Sequence, residues 1–588
     1  MNTKRRQQRV AKTMKQERVV LPSYRRRRWT LLTLLGVALV ALVWRAVDQQ
    51  IFETDFLQNE GERRHLRVVD ISAHRGMVTD RRGEPVAIST PVESVWANPR
   101  VFSPDPKALS ALAGILEKDG DEMRRQLAAR SDRSFIYLRR RVNPDVAQQV
   151  MELVEREDLR GIGLQREFRR YYPDGEVLAH VVGFTDVDDQ GQEGLERAFN
   201  DHLEGVPGKK RVLQDGLARP VKDVESISKP MPGRQLHLSI DCRLQFLAYR
   251  ELKAAVGAHR ARSGSVVILD AKSGEILVMV NQPAYNPNGA RDGAGGSLRN
   301  RAMTDVFEPG STMKPFTIAA GLELGDFSPE TRIDTAPGFY KVGRHQIRDH
   351  RNYGTIDLPT VLRKSSNVGA SKVALALPKR ELWGLFSSLG FGGLSAVGFP
   401  GEANGQLLPY TQWAEIDHAT IAFGYSLSVT PLQLAQAYAV LANDGVRLPV
   451  TLLHREEAPA GRRVLSVATA RSIRGMLESV VSAEGTAPAA AVSGYRVAGK
   501  TGTVKKSVRG GYADDRYLSV FAGMAPLSDP RLVMVVVVDE PSTGEFYGGK
   551  VAAPVFSRVM TGALRLLNVA PDAVVETPPR VAGVEARQ

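Results

Sequence analysis

Hydrophobic and polar positions are mixed along most of the chain, and the sharpest break is Trp29–Trp44, sixteen residues without a charge. An α-helix over this run spans roughly 24 Å at 1.5 Å per residue, a little short of a ~30 Å hydrocarbon core. Arg45 can snorkel, and Ala46-Val47 extend the apolar stretch by a turn. A tryptophan at each end suits the two membrane interfaces. A cleaved signal peptide fits less well: no small-x-small site follows the run, which also exceeds a usual signal core. A buried helix of a soluble protein would leave the flanking Arg25–Arg28 and the tryptophans unexplained. The pattern predicts one membrane anchor over 29–47, with residues 1–28 cytoplasmic by the positive-inside rule and everything from about residue 48 outside the cytoplasm.

Beyond the anchor, residues 48–65 read as a polar, partly helical stalk. From Val68 to Pro99 the pattern becomes short strands and turns, as in Met77-Val78-Thr79, Asp80-Arg81-Arg82-Gly83 and Val86-Ala87-Ile88. Residues 105–160 carry apolar positions at helical spacing, among them Ala108, Leu109, Leu112, Ile115 and Leu116. Residues 161–240 return to short strands and end in Leu236-His237-Leu238-Ser239-Ile240. Region 66–240 is therefore expected to be a mixed α+β module, and it holds no catalytic constellation.

From residue 241 the pattern shifts to a larger α/β domain. Ser265–Asp270 and Glu275–Val280 flank Ala271-Lys272-Ser273-Gly274, a hairpin signal. Tyr517–Ala522 and Leu532–Val538 are further strand formers, and residues 311–482 between them and the hairpin are mostly helical. With a closing helix around Pro554–Leu567, the order implies an antiparallel sheet covered by helices over 241–567. Residues 568–588 are expected to be a disordered tail, Pro/Val/Glu-rich from Pro571.

Composition modifies this picture in few places. At 588 residues the chain is too long for one core. A hydrophobic content of 43% with 24% charged residues is ordinary for a folded protein. The net charge of +14 would invite a nucleic-acid reading, but residues 1–28 hold eleven Lys or Arg and one acid, Glu17. About +4 is left for everything else, so the basicity is a tail and no nucleic-acid partner is expected. Cys242 is the only cysteine, which excludes an intramolecular disulfide and a Cys-based zinc site; it reads as a small buried hydrophobe. Asp186-Val187-Asp188-Asp189-Gln190-Gly191 resembles the opening of a calcium loop, but Arg197 stands where the bidentate glutamate belongs, so a plain turn is expected. The ten histidines are scattered, and no metal or other cofactor is expected.

The chemistry concentrates in Glu308-Pro309-Gly310-Ser311-Thr312-Met313-Lys314-Pro315-Phe316. Pro-Gly signals a turn, and a helix beginning at Ser311 would put Ser311 and Lys314 on one face. A hydroxyl beside an amine at a helix N-terminus can become a nucleophile. The pair alone is common. Two further motifs follow once each and in order: Ser365-Ser366-Asn367, and Lys500-Thr501-Gly502-Thr503 after a strand-like run. Each alone reads as a turn or a hairpin end. Together they form the Ser-x-x-Lys, Ser-x-Asn and Lys-Thr-Gly signature of penicillin-binding proteins and class A β-lactamases. Gly502 would let a substrate backbone approach closely.

The likeness extends to Ala73–Arg81, Gly183-Phe184-Thr185-Asp186, Ser239-Ile240-Asp241, Asn281-Gln282-Pro283 and Gly424–Pro431. Over nearly all of residues 25–567 the chain resembles class B penicillin-binding proteins, the monofunctional peptidoglycan transpeptidases, most closely the division-specific FtsI type. The resemblance implies an inner-membrane anchor, an elongated non-catalytic pedestal of the dimerisation type over 66–240, and a periplasmic serine β-lactamase/transpeptidase-like domain over 241–567. One departure is Ser426, where the family usually has glycine; it should stiffen a loop bordering the cleft.

By the resemblance, Ser311 is the nucleophile that attacks the penultimate D-alanine of a stem pentapeptide. Lys314, with a pKa depressed by desolvation and by Lys500, would be its general base. The backbone N–H groups of Ser311 and Thr503 would hold the oxyanion. Ser365 and Lys500 would relay a proton to the leaving D-alanine, Asn367 would orient the donor amide, and Thr501, Gly502 and Thr503 would bind the donor's carboxylate end. β-Lactams would acylate Ser311. Peptidoglycan stem peptides on lipid-linked precursor glycan strands are the implied substrate, and an FtsW-type membrane polymerase and other divisome proteins at the septum are the implied partners. A secreted β-lactamase would leave the anchor and region 66–240 superfluous. A β-lactam sensor needs an effector domain, for which a ~28-residue tail leaves little room. A non-catalytic division scaffold fits poorly with retention of every catalytic residue type. No glycosyltransferase module precedes residue 240, and the elongation-specific class B paralogue is the nearest alternative.

Overall fold

The computed structural model describes residues 25–52, 66–214, 220–289, 296–508 and 511–573. Most of the basic tail, residues 53–65 of the stalk and residues 574–588 of the C-terminal tail lie outside the described residues. The anchor sequence forms one continuous helix, α1 (Arg25–Val47), none of whose side chains is buried against the rest of the protein. It is long and apolar enough to cross a membrane. A single π-turn, Asp48–Phe52, follows it.

The module over 66–240 is built on the long strand Pro85–Ala97, which pairs from Ile88 to Ala97 with Ile162–Tyr171 and at its end with Ile136–Val142. Helices Pro106–Ile115, Gly120–Ala128 and Pro144–Arg156 pack Leu109, Leu112, Val150 and Leu153 against this sheet in a small core of their own. Asp105 and Asp119 cap the first two helices by accepting from backbone N–H groups three residues on. The strand Ile136–Val142 falls in a stretch whose spacing reads as helix; long-range pairing with Pro85–Ala97 overrides the local pattern. A second sheet joins Leu66–Ile71 to Gly208–Gln214 and Pro220–Ser228, near the end of the anchor in sequence.

Two charged features of the module are structural. Glu196 is fully buried between the guanidinium groups of Arg75 and Arg170, each 2.6 Å away. In the Asp186–Gly191 segment, the Asp186 carboxylate accepts from the backbone N–H of Asp188 and Gln190, while Asp188 and Asp189 pair with Arg140 and Arg141. That is a turn with its carboxylates spent on the protein.

The C-terminal sheet has five antiparallel strands: β1 (Ser263–Asp270), β2 (Ile276–Gln282), β3 (Ala498–Val508), β4 (Gly511–Ala525) and β5 (Leu532–Asp539), in spatial order β2-β1-β5-β4-β3. Every residue of β1 and β2 is buried, because helices cover the sheet on both sides. Helices α2 (Cys242–Ala258) and α5 (Gly548–Leu566) pack on one face, and Pro431–Ala442 from the helical block packs on the other. The expected hairpin of β1 and β2 is present with its turn at Ala271–Gly274. The closing helix starts at Gly548, six residues before the expected Pro554, which it accommodates internally. Asp572, within the expected disordered tail, is tied down: it accepts from the N–H groups of Arg496 and Ser528. Cys242 is only partly buried, and its thiol donates to Asp174; burial pushes the thiol pKa up.

The two modules meet through polar contacts as well as apolar ones. Arg81 pairs with Glu275 at 3.2 Å, and Ser239 donates to the carbonyl of Ile276 at 2.7 Å. The edge strand β3 is left free to face the helical block, and the cleft between them holds the motifs.

Candidate active site

Ser311 lies in a 3-10 turn, Gly310–Met313, that runs directly into helix α3 (Lys314–Leu324). From Lys314 to Gly321 every residue of α3 is buried, so this helix passes through the core and holds its first turn rigidly. Tyr438 donates to the carbonyl of Thr312 at 2.9 Å, and the Phe316 ring meets that of Tyr438 edge-on at 5.3 Å. The turn is also pinned from outside. Gly310 donates to the carbonyl of Gly424, and a Cβ on Gly424 (φ +85°) would lie 2.2 Å from the carbonyl oxygen of Gly310. Only glycine fits there.

Lys314 is fully buried, and its amine donates to the Ser365 carbonyl (2.5 Å), the Ser365 hydroxyl (3.0 Å) and Asn367 Oδ1 (2.8 Å). Lys500, also fully buried, donates to the same Ser365 hydroxyl at 3.0 Å and to its neighbour's carbonyl, Thr501 O, at 3.3 Å. Ser365 Oγ thus sits between two amines, as a proton relay requires. The three motifs converge as the sequence implied, with one difference: among the described residues no hydrogen bond reaches the half-buried Ser311 hydroxyl. In this resting arrangement Lys314 is engaged by the second motif. Burial, and next the charge of Lys500, hold Lys314 well below the usual lysine range; burial alone pushes Lys500 down to about 7.

Local backbone geometry places Ser365. Ser365 is held at φ +59°, a conformation costly for a residue with a side chain. Ser366 caps helix α4 (Asn367–Ala376), its hydroxyl oxygen accepting from Gly369 N–H at 2.9 Å. The clamp beneath the start of α4 is Asp349, which the sequence did not single out. Its Oδ1 accepts from the N–H groups of Asn367 (2.5 Å) and Val368 (3.0 Å), and its Oδ2 accepts from the Ser366 hydroxyl (2.5 Å). Asn367 Nδ2 donates to the carbonyl of Arg348 at 3.0 Å, leaving Oδ1 for Lys314. A carboxylate at the N-terminus of α4 is favoured by the helix dipole.

The third motif forms the edge of the cleft. On β3, Lys500 and Gly502 alternate with Thr501 and Thr503, so the amine and the hydroxyls point to opposite faces. A Cβ on Gly502 would lie 3.0 Å from Pro309 O and 3.1 Å from Thr312 Cγ2. Its missing side chain admits the protein's own nucleophile turn. Thr501 Oγ1 is 2.9 Å from Thr486 Oγ1, and Thr503 Oγ1 accepts from the N–H of Gly548 at the start of α5 (3.0 Å). The Thr503 hydroxyl proton is therefore left for an anionic ligand, close to a helix N-terminus.

Ser426, the departure from the family's glycine, adopts φ +61°, which explains that glycine. Its Oγ donates to Asp417 at 3.2 Å, and its N–H donates to Glu308 Oε1 at 3.2 Å, so the serine does tie down the loop.

The comparisons with known proteins concern the two domains and the chain as a whole. Residues 264–561 match the family described as the penicillin binding protein transpeptidase domain, and residues 70–238 match the penicillin-binding protein dimerisation domain. The chain is 42% identical to the peptidoglycan D,D-transpeptidase FtsI of Escherichia coli K12 over 93% of each chain. It is 40% identical to the probable peptidoglycan D,D-transpeptidase PenA of Neisseria meningitidis, over 92% of this chain and 94% of that one. The solved apo structure of the TP domain of Burkholderia pseudomallei penicillin-binding protein 3 is 45% identical and superposes with a TM-score of 0.53, covering 57% of this chain and 98% of that one. With both family domains present and full-length similarity of this order, the chain belongs to the class B penicillin-binding proteins, among the FtsI-type peptidoglycan D,D-transpeptidases.

Proposed function

We propose that this protein cross-links stem peptides of septal peptidoglycan through an acyl-enzyme on Ser311, and that β-lactams acylate the same serine. The carrying observation is Ser365 Oγ at 3.0 Å from both the Lys314 and Lys500 amines. Neutral Lys314 takes the Ser311 proton as Oγ attacks the carbonyl of the penultimate D-alanine. The N–H groups of Ser311 and Thr503 stabilise the oxyanion. As the C–N bond breaks, the proton passes from Lys500 or Lys314 through Ser365 to the departing D-alanine nitrogen. Asn367 orients the donor amide. Thr501 and Thr503 hold the terminal carboxylate, Gly502 keeps the strand against the nucleophile turn, and the Lys500 charge draws the carboxylate in. An amine from a neighbouring stem peptide then displaces Ser311.

Among the described residues α1 is the one helix long and apolar enough to cross a membrane, which supports a single-pass inner-membrane protein; the basic residues before it favour a cytoplasmic N-terminus with the domains over 66–240 and 241–567 in the periplasm, and the FtsI relative favours activity at the division septum. Lipid-linked precursor strands would be supplied there by an FtsW-type polymerase and other divisome proteins. Imaging of cells depleted of the protein separates division from elongation. Filaments with blocked septa are expected; rounded cells that still divide would assign the protein to elongation instead.

A further inference from the structure

Glu308 stands three residues before Ser311, on a segment whose backbone pairs with Val429 and Gly424. Its Oε1 accepts from the Ser426 N–H (3.2 Å) and from the Tyr512 hydroxyl (3.1 Å). Its Oε2 is shut off from solvent and has no partner, and among the described residues no cation pairs with the carboxylate. The Tyr512 ring, 47% exposed, meets the Tyr425 ring edge-on at 5.5 Å. None of the groups assigned to the donor peptide, Asn367, Thr501 or Thr503, takes part in this cluster. A half-satisfied buried carboxylate costs about 1–3 kcal/mol, and such groups call for an explanation where they persist. Burial raises the Glu308 pKa, which eases the uptake of a proton.

The second half of the reaction needs a group that the donor half does not use. The acceptor amine arrives at neutral pH as an ammonium and must lose a proton before its lone pair can attack. We propose that Glu308, with the Tyr425–Tyr512 wall, is the acceptor subsite: when the exposed Tyr512 ring turns aside, Oε2 opens, receives the ammonium of the attacking stem peptide and takes its first proton. The amine lone pair then forms the C–N bond to the acyl carbon, and the C–O bond to Ser311 breaks. The second amine proton returns through Lys314 to Ser311 Oγ, and Glu308 releases its proton to solvent. Before the acceptor arrives, the Tyr512 hydroxyl holds Oε1 in place. The proposal rests on the Ser311 acyl-enzyme.

The test uses the full-length protein with a thioester donor peptide and a D-amino acid as the amine acceptor, and reads aminolysis against hydrolysis of the acyl-enzyme. Acylation by fluorescent penicillin is read separately. In Glu308→Gln the ratio of aminolysis to hydrolysis should fall by about 10²-fold, within the usual range for a proton-transfer group, while acylation stays within about twofold. Tyr512→Phe, which keeps the ring wall, should raise the acceptor concentration for half-maximal transfer several-fold. An unchanged ratio in Glu308→Gln, or equal losses of acylation and aminolysis, would overturn the assignment. If Glu308→Gln does not fold, an unchanged acceptor dependence in Tyr512→Phe would do so. Failure of the underlying acyl-enzyme is distinguishable, because Ser311→Ala would then still be labelled.

Discussion

Replacing Lys314 by alanine should slow acylation by a β-lactam by about 10³-fold, the middle of the 10²–10⁴ range for a positioned general base. The effect is specific to the amine, since Lys314 has no exposed surface and its donors all point to Ser365 and Asn367. The pH dependence provides an independent readout. Lys314 acts as a base only when neutral. Because burial and Lys500 hold its pKa well below the usual range, its neutral form is favoured, and acylation should be lost as pH falls through that lowered value. Lys500 works in the opposite sense. Its attraction for the donor carboxylate fades as pH rises through about 7 in the free enzyme. The second-order rate constant for acylation should therefore be bell-shaped, its two limbs belonging to the coupled pair. Lys314→Ala should keep the alkaline limb and lose the acid one. Stopped-flow acylation across pH 4–10 checks this, and an acid limb that survives the substitution would assign the base elsewhere.

Asp349→Ala should reduce acylation by about 10²-fold although Asp349 makes no contact with Ser311, the loss expected when catalytic groups shift by about 1 Å. The substitution removes three acceptor contacts at once and leaves the N–H groups of Asn367 and Val368 unmet at the start of α4. Each such contact to a charged group contributes about 1.5–3 kcal/mol, and contacts within one clamp do not add fully, so a fall in stability of at least about 2 kcal/mol should accompany the loss of rate. A merely structural role would stop there. Asp349 also pulls the Lys314 pKa upward, so its removal should move the acid limb of the acylation profile to lower pH. Thermal unfolding together with the pH profile separates the two contributions. An unmoved acid limb would confine Asp349 to holding the fold.

The residues Ser311, Lys314 and Lys500, which the structure brings to one cleft, were legible in the sequence because each motif is local: Lys314 stands three residues after Ser311, and Lys500-Thr501-Gly502 are contiguous. Asp349 was not, because it sits in Arg348-Asp349-His350-Arg351, a charged run that reads as a solvated loop, while its partners lie 17 to 19 residues on. Glu308 was hidden for a stronger reason: its partners Ser426 and Tyr512 are 118 and 204 residues away. The anchor and the β1–β2 hairpin followed from period and turn chemistry. The strand Ile136–Val142 and the early start of α5 did not, since both depend on tertiary contact. At Gly548-Gly549, poor helix formers by propensity, a Cβ would lie 2.4 Å from Gly502 O and 2.2 Å from Thr486 O. Those glycines begin a helix because the site strand lies against it.

The central claim is that Ser311 is the acylated residue, served by Lys314, Ser365 and Lys500. Peptide mapping by mass spectrometry after penicillin treatment tests it directly. The account predicts one adduct of intact penicillin mass on the peptide containing Ser311, and none anywhere in Ser311→Ala. An adduct on another residue, or labelling that survives in Ser311→Ala, would contradict it.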